Sequence, residues 1–378
     1  MYKIFFLIVI LVMSSANFNY IPKFAEHTIA SDIMGGYQVV VSDLNKDGRP
    51  DLIALGTSMP DLVWFENPAW KRHIIADGFT RLINLAVLDN GAHPVIVLAS
   101  NFSSEAKNSL GIISVLEPDS NVTGKWSVRE IGRISTAHRV RLADIDGSGN
   151  KVVIVAPLTA ATASSPDYRG HVPLVYYKPG EWKRHLIGDQ NEGVMHGLYV
   201  IDWDGDGRDE ILTASFTGIH LYKLQTDGTW SFTEIAKGDP SPWPNSGASD
   251  IAVGITGGRR FICSIEPWHG NQIVVYLNQN NNWERNVIDN SFKEGHTIFA
   301  ADLNGDGNDE IIAGYRLEGG SAFIYTAGNE DGLHWTRHTL DNKISAAACD
   351  VVDLNNDGKP DITIIGSASN DLKWYENE

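Results

Sequence analysis

Three histidines each stand six residues ahead of an acidic loop: His138 before Asp144, His196 before Asp202 and His296 before Asp302. One such residue alone is more often a hydrogen-bonded structural histidine than a ligand. Three at one repeated position, converging on an open site, form a donor set that suits Zn²⁺ or another divalent transition metal. Other polar residues accumulate in nearby connections: Glu266-Pro-Trp268-His269, then Tyr315-Arg316, and a long stretch over 157–173 with Tyr168 and Arg169. Long loops over a rigid scaffold are where binding groups concentrate.

The scaffold is legible as a repeat. WKRHII at Trp70 recurs as WSVREI (Trp126), WKRHLI (Trp182), WSFTEI (Trp230), WERNVI (Trp283) and WTRHTL (Trp335). Each copy follows an apolar strand, as LVWFENP precedes the first, and short strands alternate with Gly, Asn and Asp turns. This is the all-β pattern. The last copy, LKWYEN, ends the chain without its closing strand, and FAEHTI, Phe24 to Ile29, supplies the matching segment. An N-terminal strand that completes the last blade removes the free edge of a ring. The expectation is a seven-bladed β-propeller of four-stranded antiparallel blades over residues 17–378.

Between the first and second strands of four repeats lies D-x-D/N-x-D-G-x-x-D/E: Asp43, Asn45, Asp47, Asp51; Asp202, Asp204, Asp206, Glu210; Asp302, Asn304, Asp306, Glu310; and Asp353, Asn355, Asp357, Asp361. Alternating oxygen donors around a glycine turn suit a hard cation, predicting Ca²⁺ in about four structural sites. A fifth copy, Asp144-x-Asp146-x-Ser148, has Val152 at its ninth position and is expected to bind weakly or not at all. These loops resemble the FG-GAP or VCBS repeats of integrin-like propellers. The resemblance implies a fold and a stiffening role for the cation.

Six strand residues span roughly 20 Å, so the histidines belong at the channel face opposite the acidic loops. Tyr37 and Ala347 hold the equivalent positions of the first and last blades, and Asp250 falls near the same level in the fifth. The outer-strand histidines His27, His73, His185 and His338 are read as structural.

A net charge of −17 argues against nucleic acid and anionic membrane surfaces as partners. The stretch 1–16, with Lys3, an apolar run from Ile4 to Met13 and Ser14-x-Ala16, predicts a secretory signal cleaved after Ala16. A periplasmic or extracellular location follows, with no membrane insertion after its removal. Cys263 and Cys349 sit in apolar strands and read as buried thiols.

The stretches HRVRLADIDG, HGLYVIDWDGDGRDEILTASFTGIHLY, SGASDIAVG, IEPWHGNQIVVY and EGHTIFAADLNGDGNDEIIAGY resemble the propeller domain of aldos-2-ulose dehydratases and their bacterial relatives. Those enzymes remove water from keto-sugars, and ulvan lyases of similar architecture perform β-elimination with His, Tyr and Arg. The resemblance implies proton abstraction beside a carbonyl or carboxylate, then loss of a β-oxygen. Under it, a metal on His138, His196 and His296 polarises the carbonyl and His269 is the base. Tyr168 or Tyr315 protonates the leaving oxygen, and Arg169 or Arg316 holds an anionic oxygen. Trp268, Glu266, Tyr37 and Asp250 contact the sugar or polysaccharide. The rival expectation is a non-catalytic, calcium-stabilised propeller that binds carbohydrate or a protein partner.

Overall fold

Seven four-stranded antiparallel sheets, each formed from consecutive strands except at the join, make up the ring. The structure, a computed structural model, describes residues 20–378 apart from 90, 92 and 281. The expected signal segment, 1–16, lies outside the described residues. The innermost strands of blades 1 to 7 are Gly36–Ser42, Asn84–Asp89, Ala137–Ala143, Met195–Ile201, Ile251–Thr256, Gly295–Ala301 and Ala346–Val352.

Burial follows position in the blade. Second strands such as Asp51–Gly56, Val152–Pro157 and Asp361–Gly366 are buried at every residue, because neighbouring blades cover both faces. Their near-continuous apolar runs are the sequence consequence. Outermost strands alternate between intermediate and exposed residues. Their histidines are structural, as expected: His73 stacks on Trp64 at 4.6 Å and bonds Glu66 at 2.7 Å, and His27 stacks on Trp374 and bonds Glu376.

The ring closes as the repeat predicts. Phe24–Ala30 pairs antiparallel with Leu372–Asn377, from Phe24 opposite Asn377 to Ala30 opposite Leu372. Lys373 strengthens the join, reaching Glu26 at 2.8 Å and Asp341 at 2.7 Å. Cys263 and Cys349 are free thiols. Among the described residues no helix is long and apolar enough to cross a membrane.

One local irregularity positions the site. In five innermost strands the ladder skips one residue: Tyr37, His138, His196, His296 or Ala347. A bulge of this kind leaves its extra residue unpaired and re-aims the side chain. Blades 2 and 5 keep a regular ladder, and these two blades also lack the acidic loop.

Candidate functional site at the channel mouth

The bulges of blades 1, 3, 4 and 6 direct Tyr37, His138, His196 and His296 together. His138 lies 4.8 Å from His196 by ring centroid, His196 is 5.1 Å from His296, and Tyr37 is 5.2 Å from His296. Blade 5 has no bulge and contributes from its second-to-third-strand turn. There His269 adopts φ 48°, in the left-handed region, and its ring stands 5.0 Å from His196 and 5.3 Å from His296. A non-glycine residue held there carries strain that the surrounding structure must offset.

Tyr37, His138, His196 and His269 line a cavity of about 440 Å³, together with Phe102, Trp268 and Arg316, and the fully buried His296 packs against the Tyr37, His196 and His269 rings. His138, His196 and His296 are at most 1% exposed. Burial holds all four imidazoles well below the usual histidine pKa. Arg139 adds to this at His138 and His196, and Arg316 at His269 and His296. The rings are therefore neutral at neutral pH, the state in which an imidazole can ligate or accept a proton.

Two groupings emerge. His196, His269 and His296 bring one ligand nitrogen each within 4.8 Å of one another, and Nε2 of all three is buried without a hydrogen-bond partner. His296 Nδ1 donates to the Ala347 carbonyl at 2.6 Å, which leaves its Nε2 lone pair facing the cluster. Ser249 Oγ and Arg139 Nη2 both lie 3.4 Å from His196 Nδ1, and His269 Nδ1 stands between Arg316 Nη2 at 3.2 Å and the Glu294 carboxylate at 3.6 Å, so each of these nitrogens has a donor and an acceptor within reach. Separately, the Tyr37 hydroxyl and His138 Nε2 are 2.6 Å apart. Burial raises the Tyr37 pKa, so the phenol stays protonated.

Other sequence-nominated residues are placed differently. His138 is engaged by Tyr37, and it is His269 that groups with His196 and His296. Glu266 points into its own blade, where it is fully buried between the Tyr276 hydroxyl and Arg285 at 2.8 Å. Tyr168 packs edge-on against Trp268 from behind, at 5.5 Å, and Arg169 lies over the Trp243 ring at 4.0 Å. Tyr315 packs with Phe292 and Phe323. Arg316 and Trp268 do line the cavity, with Arg316 Nη2 3.2 Å from His269 Nδ1. Asp250 lies in the channel beyond the histidine floor, paired with Arg139 at 3.3 Å.

Arg139 is a neighbour of the cluster that the sequence did not single out. Its Nε donates to the His196 carbonyl at 3.0 Å, and its other end holds Asp250, which ties blade 3 to blades 4 and 5. Its place directly after the bulged His138 was the available signal.

The acidic loops are preformed by their own backbones. The first aspartate of each accepts N–H groups four and five residues on, as Asp43 does from Asp47 and Gly48. The ninth-position acid accepts the second residue's N–H: Asp51 from Leu44, Glu210 from Trp203, Glu310 from Leu303 and Asp361 from Leu354. Gly48, Gly207, Gly307 and Gly358 take φ of 83–90° with open space where a Cβ would stand, so the turn itself demands glycine. Burial pushes Asp51 up to about 6 and Glu310 to about 8, with neighbouring loop carboxylates adding to both.

A model of the aldos-2-ulose dehydratase β-propeller domain matches residues 111–279, and an FG-GAP-like repeat model matches 302–364. The chain resembles the aldos-2-ulose dehydratase propeller. Aldos-2-ulose dehydratase of Phanerodontia chrysosporium is 26% identical over 232 residues, covering 53% of this chain. The match spans only 25% of that enzyme's length. An ancestral GH74 enzyme of known structure superposes with TM-score 0.63 at 10% identity, over 92% of this chain and 48% of that one, a likeness of fold alone.

Proposed function

We propose that this chain is a secreted, carbohydrate-active propeller that catalyses β-elimination on a keto-sugar or uronate at the histidine cavity. The observation that carries the reading is the convergence of three unpartnered imidazole nitrogens beside a Tyr–His pair, with His196 and His269 of the three lining one cavity and His296 buried against them. The similarity to an enzyme named for dehydrating an aldos-2-ulose supports the substrate class.

The donor set fits a divalent transition metal, which His196, His269 and His296 would hold through Nε2; the Ala347 carbonyl takes the His296 Nδ1 proton, and Ser249 and Glu294 would take those of His196 and His269. Such an ion, when bound, supplies Lewis acidity toward a substrate carbonyl or carboxylate oxygen. The chain's own groups do the rest. Trp268 offers a flat wall for a sugar ring, and Arg316 reaches the cavity to hold an anionic oxygen. His138 Nε2 accepts the Tyr37 proton as the Tyr37 oxygen takes the proton next to the carbonyl. That proton passes from Tyr37 to the departing β-oxygen, and His138 then returns its own to Tyr37. One proton moves from carbon to oxygen, and the C–O bond breaks as a C=C bond forms.

The outer acidic loops of blades 1, 6 and 7 fit Ca²⁺ as structural ions. The chain acts in the periplasm or outside the cell.

Incubation with keto-sugars and with uronate polymers, followed by ultraviolet absorbance of the unsaturated product, tests the chemistry. Tyr37→Phe is expected to lower the rate by about 10²–10⁴-fold in a folded protein, the usual contribution of a positioned acid–base group. Unchanged turnover in that variant removes the dyad from the mechanism. No turnover of either substrate class by the native, metal-loaded chain favours the carbohydrate- or protein-binding module.

A further inference from the structure

The acidic loops are alike in backbone and unlike in what faces them. On the third strand of each loop-bearing blade, one residue lies just past the aromatic that pairs with the second strand: Phe65, Tyr177, Tyr222, Tyr325 or Tyr375. That next residue stands opposite the loop's ninth position, and it is Glu66 in blade 1, Lys178 in blade 3, Lys223 in blade 4, Thr326 in blade 6 and Glu376 in blade 7.

In blade 4 the consequence is direct. The Lys223 ammonium contacts Asp204, lies 2.8 Å from Asp206 and 3.0 Å from the buried Glu210. These are the third, fifth and ninth positions of the loop. Arg208 also pairs with Asp206, so that one carboxylate carries two cations. The loops of blades 1, 6 and 7 differ. Among the described residues, no basic side chain forms an ion pair with Asp43, Asp47, Asp51, Asp302, Asp306, Glu310, Asp353, Asp357 or Asp361. Glu66 and Glu376 instead add a carboxylate beside Asn45 and Asn355, each steadied on its far oxygen by an outer-strand histidine.

We infer that Lys223 is the resident cation of the blade 4 loop, so that this loop takes no calcium and the chain binds calcium only in blades 1, 6 and 7. An ion drawing oxygens to 2.3–2.6 Å would have to occupy the space the ammonium fills. Two positive centres sharing three carboxylates repel over a few ångströms, and the one already tethered needs no free ion concentration. Blade 3 has the same rule in a more reduced form: Lys178 lines the same recess as Asp146 and Ser148, and the ninth-position acid is gone. The inference is independent of the elimination chemistry.

Calcium titration of the full chain with elemental analysis of the washed protein tests it. The native chain is expected to hold three calcium ions, one in each of blades 1, 6 and 7. Asp204→Asn should leave that number unchanged, whereas Asp306→Asn in blade 6 should lower it by one. Lys223→Met should add one ion, and Asp204→Asn in that background should remove it again. A fourth ion in the native chain that disappears with Asp204→Asn overturns the inference. So does a folded Lys223→Met protein that gains none. Should Lys223→Met fail to fold, the native pair of Asp204→Asn and Asp306→Asn still decides.

Discussion

Arg139 acts across blades: its guanidinium spans the His196 carbonyl and the Asp250 carboxylate while its backbone belongs to the strand that carries His138. Arg139→Met leaves both acceptors without that partner and is expected to cost on the order of 2 kcal/mol, read as a lower denaturant midpoint. Arg139→Lys keeps the charge but loses the fork, so it should recover only part of that loss. Contacts of this kind explain where residue-level reading stopped. Spacing placed His138, His196 and His296 on one level. The exchange of His138 for His269 arises from a hydrogen bond between Tyr37 and His138, 101 residues apart, which no local pattern encodes. Glu266 looked like a loop carboxylate, yet it ends a strand paired with Gln272 and is held by Tyr276 and Arg285 of its own blade. Tyr168 and Arg169 sit beside the right surface, but the turn spends them on Trp268 and Trp243.

At the scale of the strand, the bulge and the inter-blade staple matter most. The bulge was readable only through its product, a polar residue at a fixed distance before an acid. The staple joins a third-strand tyrosine to the end of the preceding blade: Tyr325 donates to Asp289 at 2.8 Å, and Tyr375 to Asp341 at 2.7 Å. At Asp341, burial favours the neutral acid, but the bonds from Lys373 and Tyr375 outweigh it and hold the carboxyl below the usual range. A depressed folded-state pKa contributes stability that is present above the unfolded value, near 3.9, and is lost as pH falls through the folded value. Asp341→Asn should therefore destabilise the native ring at neutral pH by on the order of 3 kcal/mol. The difference between native and variant should shrink below about pH 4, followed by urea unfolding across pH. A constant difference down to pH 2 would assign the effect to packing instead.

For the whole molecule, closure was the most legible feature, because the missing strand and its complement are written in the same repeat. Deleting residues 1–31 removes Phe24–Ala30 and bares the edge of Leu372–Asn377. That chain should unfold at lower temperature and associate through the exposed edge, as measured by calorimetry and light scattering. Chelation should also lower the melting temperature. Each calcium site saturated at 100 times its dissociation constant contributes about 2.7 kcal/mol, and a native protein whose melting is indifferent to chelator would contradict the calcium reading of blades 1, 6 and 7.

The histidine cavity is the centre of the proposed chemistry. The most direct test is elemental analysis of the full chain, purified without chelator or a histidine tag, alongside folded His196→Gln and His296→Gln variants. A near-stoichiometric transition metal, zinc above all, is expected in the native protein and its loss in both variants, with calcium unchanged. Calcium alone in the native protein, or a transition metal retained by both variants, would contradict this expectation.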